Sequence, residues 1–321
     1  MYKKYIRALA VLGVLAAIGL SIAGWLYVRN ANVALLNPAG HIAERESHLM
    51  MFAAALSLVV VVPVFALLFG IAWRYRASNT KATYKPDWDH NNWYESAWWL
   101  IPTCLILVLS VVTWNSSHEL DPYRKLAGTA KPLQVQVVAL NWKWLFIYPE
   151  QNLATVSYLT LPQNRSVEFT ITSDATMNSF WIPQLGGQIY AMTGMSTKLH
   201  LLPEQIGTFT GASANISGEG FAHMTFKTNV VSQPAFDDWV AHAKRLPPQV
   251  LPLSQKTYKE LTEPTQGYAP TTYPRVDKDL FDSILMKYMK TAPPTAAPKP
   301  EEHTDEHQHT MPMSGMDHMD M

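Results

Sequence analysis

Long apolar runs near the N-terminus, followed by about a hundred residues of short alternating segments, predict a membrane-anchored α plus β protein. Transmembrane helices come first, then a β-sandwich, then a helical extension. The hydrophobic fraction is 48% and is concentrated in the apolar runs, leaving a polar remainder of ordinary globular character. Charged residues are 16% of the chain, the formal net charge is zero, and lysine and arginine are scattered. Such a chain lacks the basic surface that nucleic acid requires, so no nucleic-acid partner is expected. The expected organisation is 1–28 as a signal or transmembrane anchor, 49–114 as a transmembrane hairpin, 132–231 as the external β-domain, 232–290 as a helical extension and 291–321 as a disordered tail.

The first apolar run extends from Tyr5 to Val28, the second from Leu49 to Trp73 and the third from Ala97 to Trp114. At 1.5 Å rise per residue each can cross a hydrocarbon core about 30 Å thick. Lys3, Lys4 and Arg7 precede the first run, and Arg74, Arg76, Lys81 and Lys85 lie between the second and third. The positive-inside rule puts both places in the cytoplasm and everything after Trp114 outside. Trp25, Trp73, Trp93, Trp98 and Trp114, at the run ends, suit the interfacial aromatic belts. The basic start and apolar middle of the first run fit a signal peptide as well as a span, and a retained anchor is expected. Cys104, the sole cysteine, lies inside the third run and reads as a packing residue, unable to form an intrachain disulfide or a paired metal site. Pro63 and Pro102 also fall within spans, where neighbouring groups can satisfy a freed carbonyl.

After a polar connector from Asn115 to Lys131, residues 133–137, 165–172 and 224–230 alternate apolar and polar with a period of two and read as strands. Pro162-Gln163-Asn164, Gly186-Gly187 and Pro203-Glu204 mark turns between such segments. Pro234 to Arg245 reads as a helix with Phe236, Trp239, Val240 and Ala243 on one stripe, and Leu280 to Met289 as another. From Thr291 the chain becomes proline- and alanine-rich and then rich in histidine, methionine and acid. Such a tail should be disordered. Its His303, His307, His309 and His318, with nearby methionines, could hold copper loosely.

The run Ser213-Ala214-Asn215-Ile216-Ser217-Gly218-Glu219-Gly220-Phe221-Ala222-His223-Met224 has the frame C-x-E-x-C-x3-H-x2-M of a binuclear copper loop, with serine at both cysteine positions. Asn215 stands at the glutamate, Phe221 at the histidine, and Asn178, before Phe180-Trp181-Ile182-Pro183, at the remaining histidine position. Only Met224 keeps its ligand type. With Trp73-Arg74-Tyr75-Arg76, Asn141-Trp142-Lys143-Trp144-Leu145-Phe146-Ile147-Tyr148-Pro149-Glu150 and Gln188-Ile189-Tyr190-Ala191-Met192, this pattern resembles subunit II of the cytochrome o-type ubiquinol oxidases, from Ala34 to Tyr288.

The resemblance implies a cupredoxin-like external domain without a binuclear copper centre. It also implies a place as a non-catalytic subunit in a proton-translocating quinol oxidase of the bacterial inner membrane. The partners it implies are subunit I and other small membrane subunits, with ubiquinol as substrate of the complex. Hemes and copper would belong to subunit I, and none to this chain. Relatives often carry a lipid-modified cysteine where this chain has Trp25, which excludes thioether lipidation. Glu95 matches a carboxylate at the mouth of a proton-uptake path, although Asn92 three residues earlier makes it equally a helix-capping residue. Trp142 and Trp144 fall on a strand that carries an electron-entry tryptophan in cytochrome c oxidases, and read here as large rings on a half-buried strand. A cytochrome c oxidase subunit with a degenerate loop is disfavoured by the two serines and Asn178. A membrane-anchored periplasmic copper-handling protein is the alternative of a different class, distinguished by copurifying with copper and without hemes.

Overall fold

The computed structural model describes residues 12–289, apart from 14, 17, 18, 25, 28–30, 32, 84, 86, 128, 129, 248 and 249. The described positions between 12 and 27 have helical backbone. The rest of the first run, Trp25 and the whole 291–321 tail with its histidines lie outside the described residues. Two long helices follow, α1 at His41–Arg74 and α2 at Asn92–Glu119, both apolar enough to span a membrane. Each runs through its proline, Pro63 or Pro102, without a break.

Helix α1 starts at His41 rather than at Leu49, because its first turns pack on the external domain instead of on lipid. Ile42, Ala43 and Ser47 are buried there. The Ala39 N–H donates to Gln184 O at 2.7 Å, the His41 N–H to Leu202 O at 3.1 Å and the Glu204 N–H to Ala39 O at 2.9 Å. The approach depends on Gly186 and Gly187: a Cβ on the first would stand 2.6 Å from Leu201 Cδ2, and on the second 2.7 Å from Glu46 Oε1. Helix and domain are therefore welded at their junction.

The external domain is a two-sheet sandwich. Its strands are β1 Leu133–Leu140, β2 Lys143–Tyr148, β3 Leu153–Val156, β4 Tyr158–Pro162, β5 Val167–Ser173 and β6 Asn178–Trp181. They continue with β7 Ile189–Ala191, β8 Thr197–Leu201, β9 Gly207–Ser213 and β10 Thr225–Val231. Helices α3 (Gln233–Lys244) and α4 (Gln255–Leu261), strand β11 (Thr271–Tyr273) and helix α5 (Leu280–Met289) complete the chain. One sheet has the order β11-β3-β2-β1-β5-β8 and the other β4-β10-β9-β6-β7. The β1–β5 and β4–β10 pairs are parallel, and the remaining strand pairs are antiparallel.

The three strands expected from alternation are present as β1, β5 and β10, with ends shifted by a few residues. Strand β2 departs from the half-buried expectation, since all its residues are buried. Trp144, Phe146 and Tyr148 face the sandwich interior. Leu145 and Ile147 face a second core formed by Leu253, Tyr258, Leu261, Tyr273, Leu280, Phe281 and Ile284. The extension is thus a cover over the outer face of the sheet, and it is not purely helical: β11 pairs with β3, Thr272 opposite Thr155. Burial on both faces accounts for the continuous apolar reading of β2.

Candidate functional site

The five altered copper-ligand positions and the retained Met224 come together at one end of the sandwich. Strand β6 pairs with β9 so that Phe180 lies opposite Ser213, and the Ser213 N–H donates to Met224 O at 3.1 Å. Beneath them Phe180 and Phe226 stack at 5.5 Å, with Trp144 edge-on to Phe180 at 5.4 Å and Phe169 at 5.3 Å from Phe180. This aromatic floor holds the strand ends in place.

The polar side chains at these positions bond to one another and to carbonyls of the β5–β6 connection. Ser213 Oγ donates to Asn178 Oδ1 at 2.9 Å, and Asn178 Nδ2 donates to Thr176 O at 2.8 Å. Asn215 Nδ2 donates to Met177 O at 3.0 Å. Ser217 Oγ lies 3.9 Å from the buried sulfur of Met224. Phe221, partly buried, opens a short 3-10 turn over Phe221–His223. Where a binuclear copper centre needs two bridging thiolates, this cluster presents two hydroxyls, two carboxamides, a phenyl ring and one thioether. Neutral oxygen donors bind soft copper weakly and cannot bridge as sulfur does. The donor set does not fit that group.

Trp142 is not on the strand as expected. It lies in the β1–β2 turn at φ 61°, a left-handed conformation that bulky residues rarely adopt. Its ring closes over the loop, and Nε1 donates to Ser217 O at 3.1 Å. Gly220 makes room for it, since a Cβ there would stand 2.2 Å from Trp142 Cδ2. In this arrangement Trp142 acts as a lid on the loop, whereas Trp144 is wholly buried in the floor.

Where α2 begins, the helix cap is Asn91 rather than Asn92. Asn91 Oδ1 accepts the Trp93 and Tyr94 N–H groups at 3.1 and 3.2 Å. Glu95 Oε1 accepts the Asn91 N–H at 3.2 Å and lies 2.5 Å from His90 Nδ1. Glu95 is therefore a cap in its geometry, and its carboxylate is also held against an exposed imidazole.

Sequence patterns did not reveal two buried charged groups that fix the C-terminal cover. Asp174, on the connection that leads to Asn178, has its carboxylate 1% exposed. It accepts Tyr258 Oη at 2.7 Å on Oδ2, and Lys287 Nζ at 2.7 Å and Tyr288 Oη at 2.5 Å on Oδ1. Burial, then the neighbouring carboxylate, pushes the Tyr258 phenol far up. Lys143 donates to Glu263 O at 2.7 Å and lies 4.8 Å from the Tyr268 ring centroid. Burial lowers its pKa, against the pull of Glu263. The only sequence signal for Asp174 was a carboxylate at the end of an apolar strand, which ordinarily marks a turn.

Two family models match the chain: "Cytochrome C oxidase subunit II, periplasmic domain" over residues 146–231 and "COX Aromatic Rich Motif" over 251–292. The second coincides with the cover clamped by Asp174. The cytochrome bo(3) ubiquinol oxidase subunit 2 of Pseudomonas aeruginosa is 46% identical over 94% of this chain and 90% of its own length. This chain belongs to the ubiquinol oxidase subunit 2 family. The Pseudomonas putida cytochrome bo(3) ubiquinol oxidase subunit 2 is 48% identical over 83% of each chain. The ubiquinol oxidase subunit 2 of Acetobacter aceti is 43% identical over 90% of this chain and 91% of its own. Family membership bears out the cupredoxin-like fold, and with two helices long and apolar enough to cross a membrane it makes this a membrane-anchored oxidase subunit with a periplasmic domain.

Proposed function

We propose that this chain is the non-catalytic second subunit of a proton-translocating ubiquinol oxidase in the bacterial inner membrane, crossing it more than once. It scaffolds subunit I, where quinol is oxidised and oxygen reduced, and where the hemes and copper of the complex reside. The observation that carries this reading is the self-satisfied loop. Ser213 is hydrogen-bonded to Asn178, Ser217 reaches Met224, and Trp142 closes over Ser217 and Gly220, so no thiolate pair is available to receive electrons from a soluble cytochrome. Electrons then enter the complex from the membrane, as quinol.

Glu95 is assigned to proton entry on the cytoplasmic side. A carboxylate at a membrane boundary can exchange protons with water and pass them inward. Capping does not conflict with this role, because Asn91 already supplies the side-chain cap of α2.

The test is oxygen uptake by the complex copurified with a tagged form of this chain, comparing ubiquinol with reduced cytochrome c. Uptake with ubiquinol alone is expected. Uptake with reduced cytochrome c would overturn the reading of the loop, and uptake with neither would overturn membership of an active quinol oxidase.

A further inference from the structure

Residues 132–289 carry six methionines, and the segments that hold them meet around the β5–β6 connection. Met177 lies on that connection, and Met224 lies on the loop joined to it through Ser213 and Asn178. Met192 O accepts the Ser173 N–H at 3.3 Å and Thr172 Oγ1 at 3.2 Å. The turn that follows runs against the end of α5, since a Cβ on Gly194 would stand 3.1 Å from Tyr288 Cβ and 4.0 Å from Met289 N. The turn that carries Met195 is therefore a neighbour of Met289, and Met286, three residues earlier on the helix, shares the face of Met289. Methionine ordinarily fills gaps in a core, as the buried Met224 does. Met177, Met195, Met286 and Met289 are instead 45%, 54%, 51% and 48% exposed, so these side chains stand open to solvent.

A thioether is an uncharged, soft donor that favours Cu(I) over harder ions. Among the described residues no group of three or more His, Cys, Asp or Glu side chains could hold a metal ion, so thioethers are what the folded surface offers here. The charge of Lys287 at this end is offset by Asp174 at 2.7 Å. The tail starts at Thr291, two residues past the end of α5. It brings five methionines and four histidines, in M-x-M, M-x2-M and H-x-H spacings, together with six acids against one lysine. The acids attract a cation, and the thioethers and imidazoles can bond to it. Met311 comes 22 residues after Met289, a stretch that extends up to about 70 Å, so the donors of the tail can reach those of α5.

We propose that this end of the external domain and the tail together take Cu(I) as an exchangeable cargo ion on the outer side of the membrane. Met195, Met286 and Met289 supply thioethers from the folded side, and the tail supplies the remaining donors. Because the two parts belong to one chain, the second contact is intramolecular, at an effective concentration on the order of millimolar, and individually weak contacts add up to retention. Without a thiolate to bridge two ions, the site has no part in electron entry. The inference goes beyond the functional reading above and does not depend on which donor feeds the complex.

The test is Cu(I) titration of the intact complex, purified through a tag without histidine and kept reduced with ascorbate, against bicinchoninate as the competing chelator. The wild type is expected to hold at least one exchangeable Cu(I) beyond its resident metal, and excess Zn(II) should leave it bound. Removing residues 291–321 should abolish this binding. Met195→Leu, Met286→Leu and Met289→Leu together should weaken it roughly tenfold, since leucine keeps the volume and removes the donor. If the triple variant does not assemble, silver(I), a soft ion of the same charge, decides the matter: it should protect these three methionines from peroxide oxidation to the sulfoxide in the wild type and not in the tail-deleted complex. Absence of exchangeable Cu(I) in the wild type overturns the proposal, as does displacement by Zn(II) or binding undiminished by tail removal. Tail-dependent binding with neither a leucine effect nor silver protection overturns the two-part site. Ubiquinol-driven oxygen uptake measured on the same wild-type preparation reports separately on the functional reading.

Discussion

Removing the Asp174 carboxylate should release the C-terminal cover from the sheet. The carboxylate is buried and takes three donors, two of them phenols. Hydrogen bonds to a charged group contribute about 1.5–3 kcal/mol each when buried. The Lys287 contact counts for less, since its side chain is 57% exposed and solvent screens it. Asp174→Ala leaves Tyr258 Oη buried with no acceptor, so a loss of about 2–4 kcal/mol is expected. Asp174→Asn should fall between, because the amide can place Oδ1 toward Lys287 and Tyr288 and offer Nδ2 to the Tyr258 oxygen, which also accepts. The assay is amide exchange or proteolytic susceptibility of residues 251–289 in the assembled complex. When opening is fast relative to cleavage, both report the population of the open form. At 1.4 kcal/mol per decade the expected change is roughly 30- to 1000-fold for alanine. A change under threefold, or asparagine behaving worse than alanine, would refute the assignment of Asp174 as the anchor of the cover.

Gly220→Ala should force the Trp142 ring off the loop, because the new methyl would overlap it, with about 1–3 kcal/mol lost to overpacking and a red-shifted tryptophan emission. An unchanged spectrum and melting temperature would mean that the ring has another place to rest. Glu168 accepts Gln134 Nε2 at 3.0 Å and Lys198 Nζ at 2.9 Å, which depress its pKa in the folded state, so its stabilising contribution is fully present above about pH 4.5 and is lost as pH falls toward about 2. Acid titration monitored by tryptophan fluorescence should therefore show a transition in that window that is weakened in Glu168→Gln. Glu95→Gln should slow proton uptake and ubiquinol-driven oxygen consumption, while Asn91→Ala should cost about 1 kcal/mol of helix capping and leave turnover intact. Full turnover in Glu95→Gln would reduce Glu95 to its capping role.

Much of this was legible in the residues. The spans are long, apolar and flanked by asymmetric charge, so α1 and α2 follow from composition alone. The loop was equally plain, because serine at 213 and 217 and asparagine at 178 break a spacing pattern in a chemically decisive way. The start of α1 was misplaced by reading hydropathy alone: His41 to His48 is polar enough to look like a loop, yet it is helical because Ile42, Ala43 and Ser47 bury against the external domain. Trp142 was put on a strand by continuity with Trp144, and only the turn geometry, with its positive φ, puts its ring over Gly220. Asp174 and Lys143 were invisible because their partners are distant in sequence: Tyr258 and Tyr288 for the first, Glu263 for the second. No local period encodes such contacts.

The cover formed by residues 251–289 also fixes the order in which the domain can be completed during export. Val138, Leu140, Leu145 and Ile147 lie on the first two strands to emerge, but Leu253, Leu261, Leu280 and Ile284, which bury them, lie more than a hundred residues later in the chain. Until that segment arrives, one face of the central sheet is wet and adhesive, with several large aliphatic side chains offered to any neighbouring chain. A chain cut short before 251 would leave a sheet that still pairs its strands but remains a target for aggregation and proteolysis. The arrival of Tyr258, Lys287 and Tyr288 at Asp174 therefore marks the point at which this face of the sheet is closed to other chains.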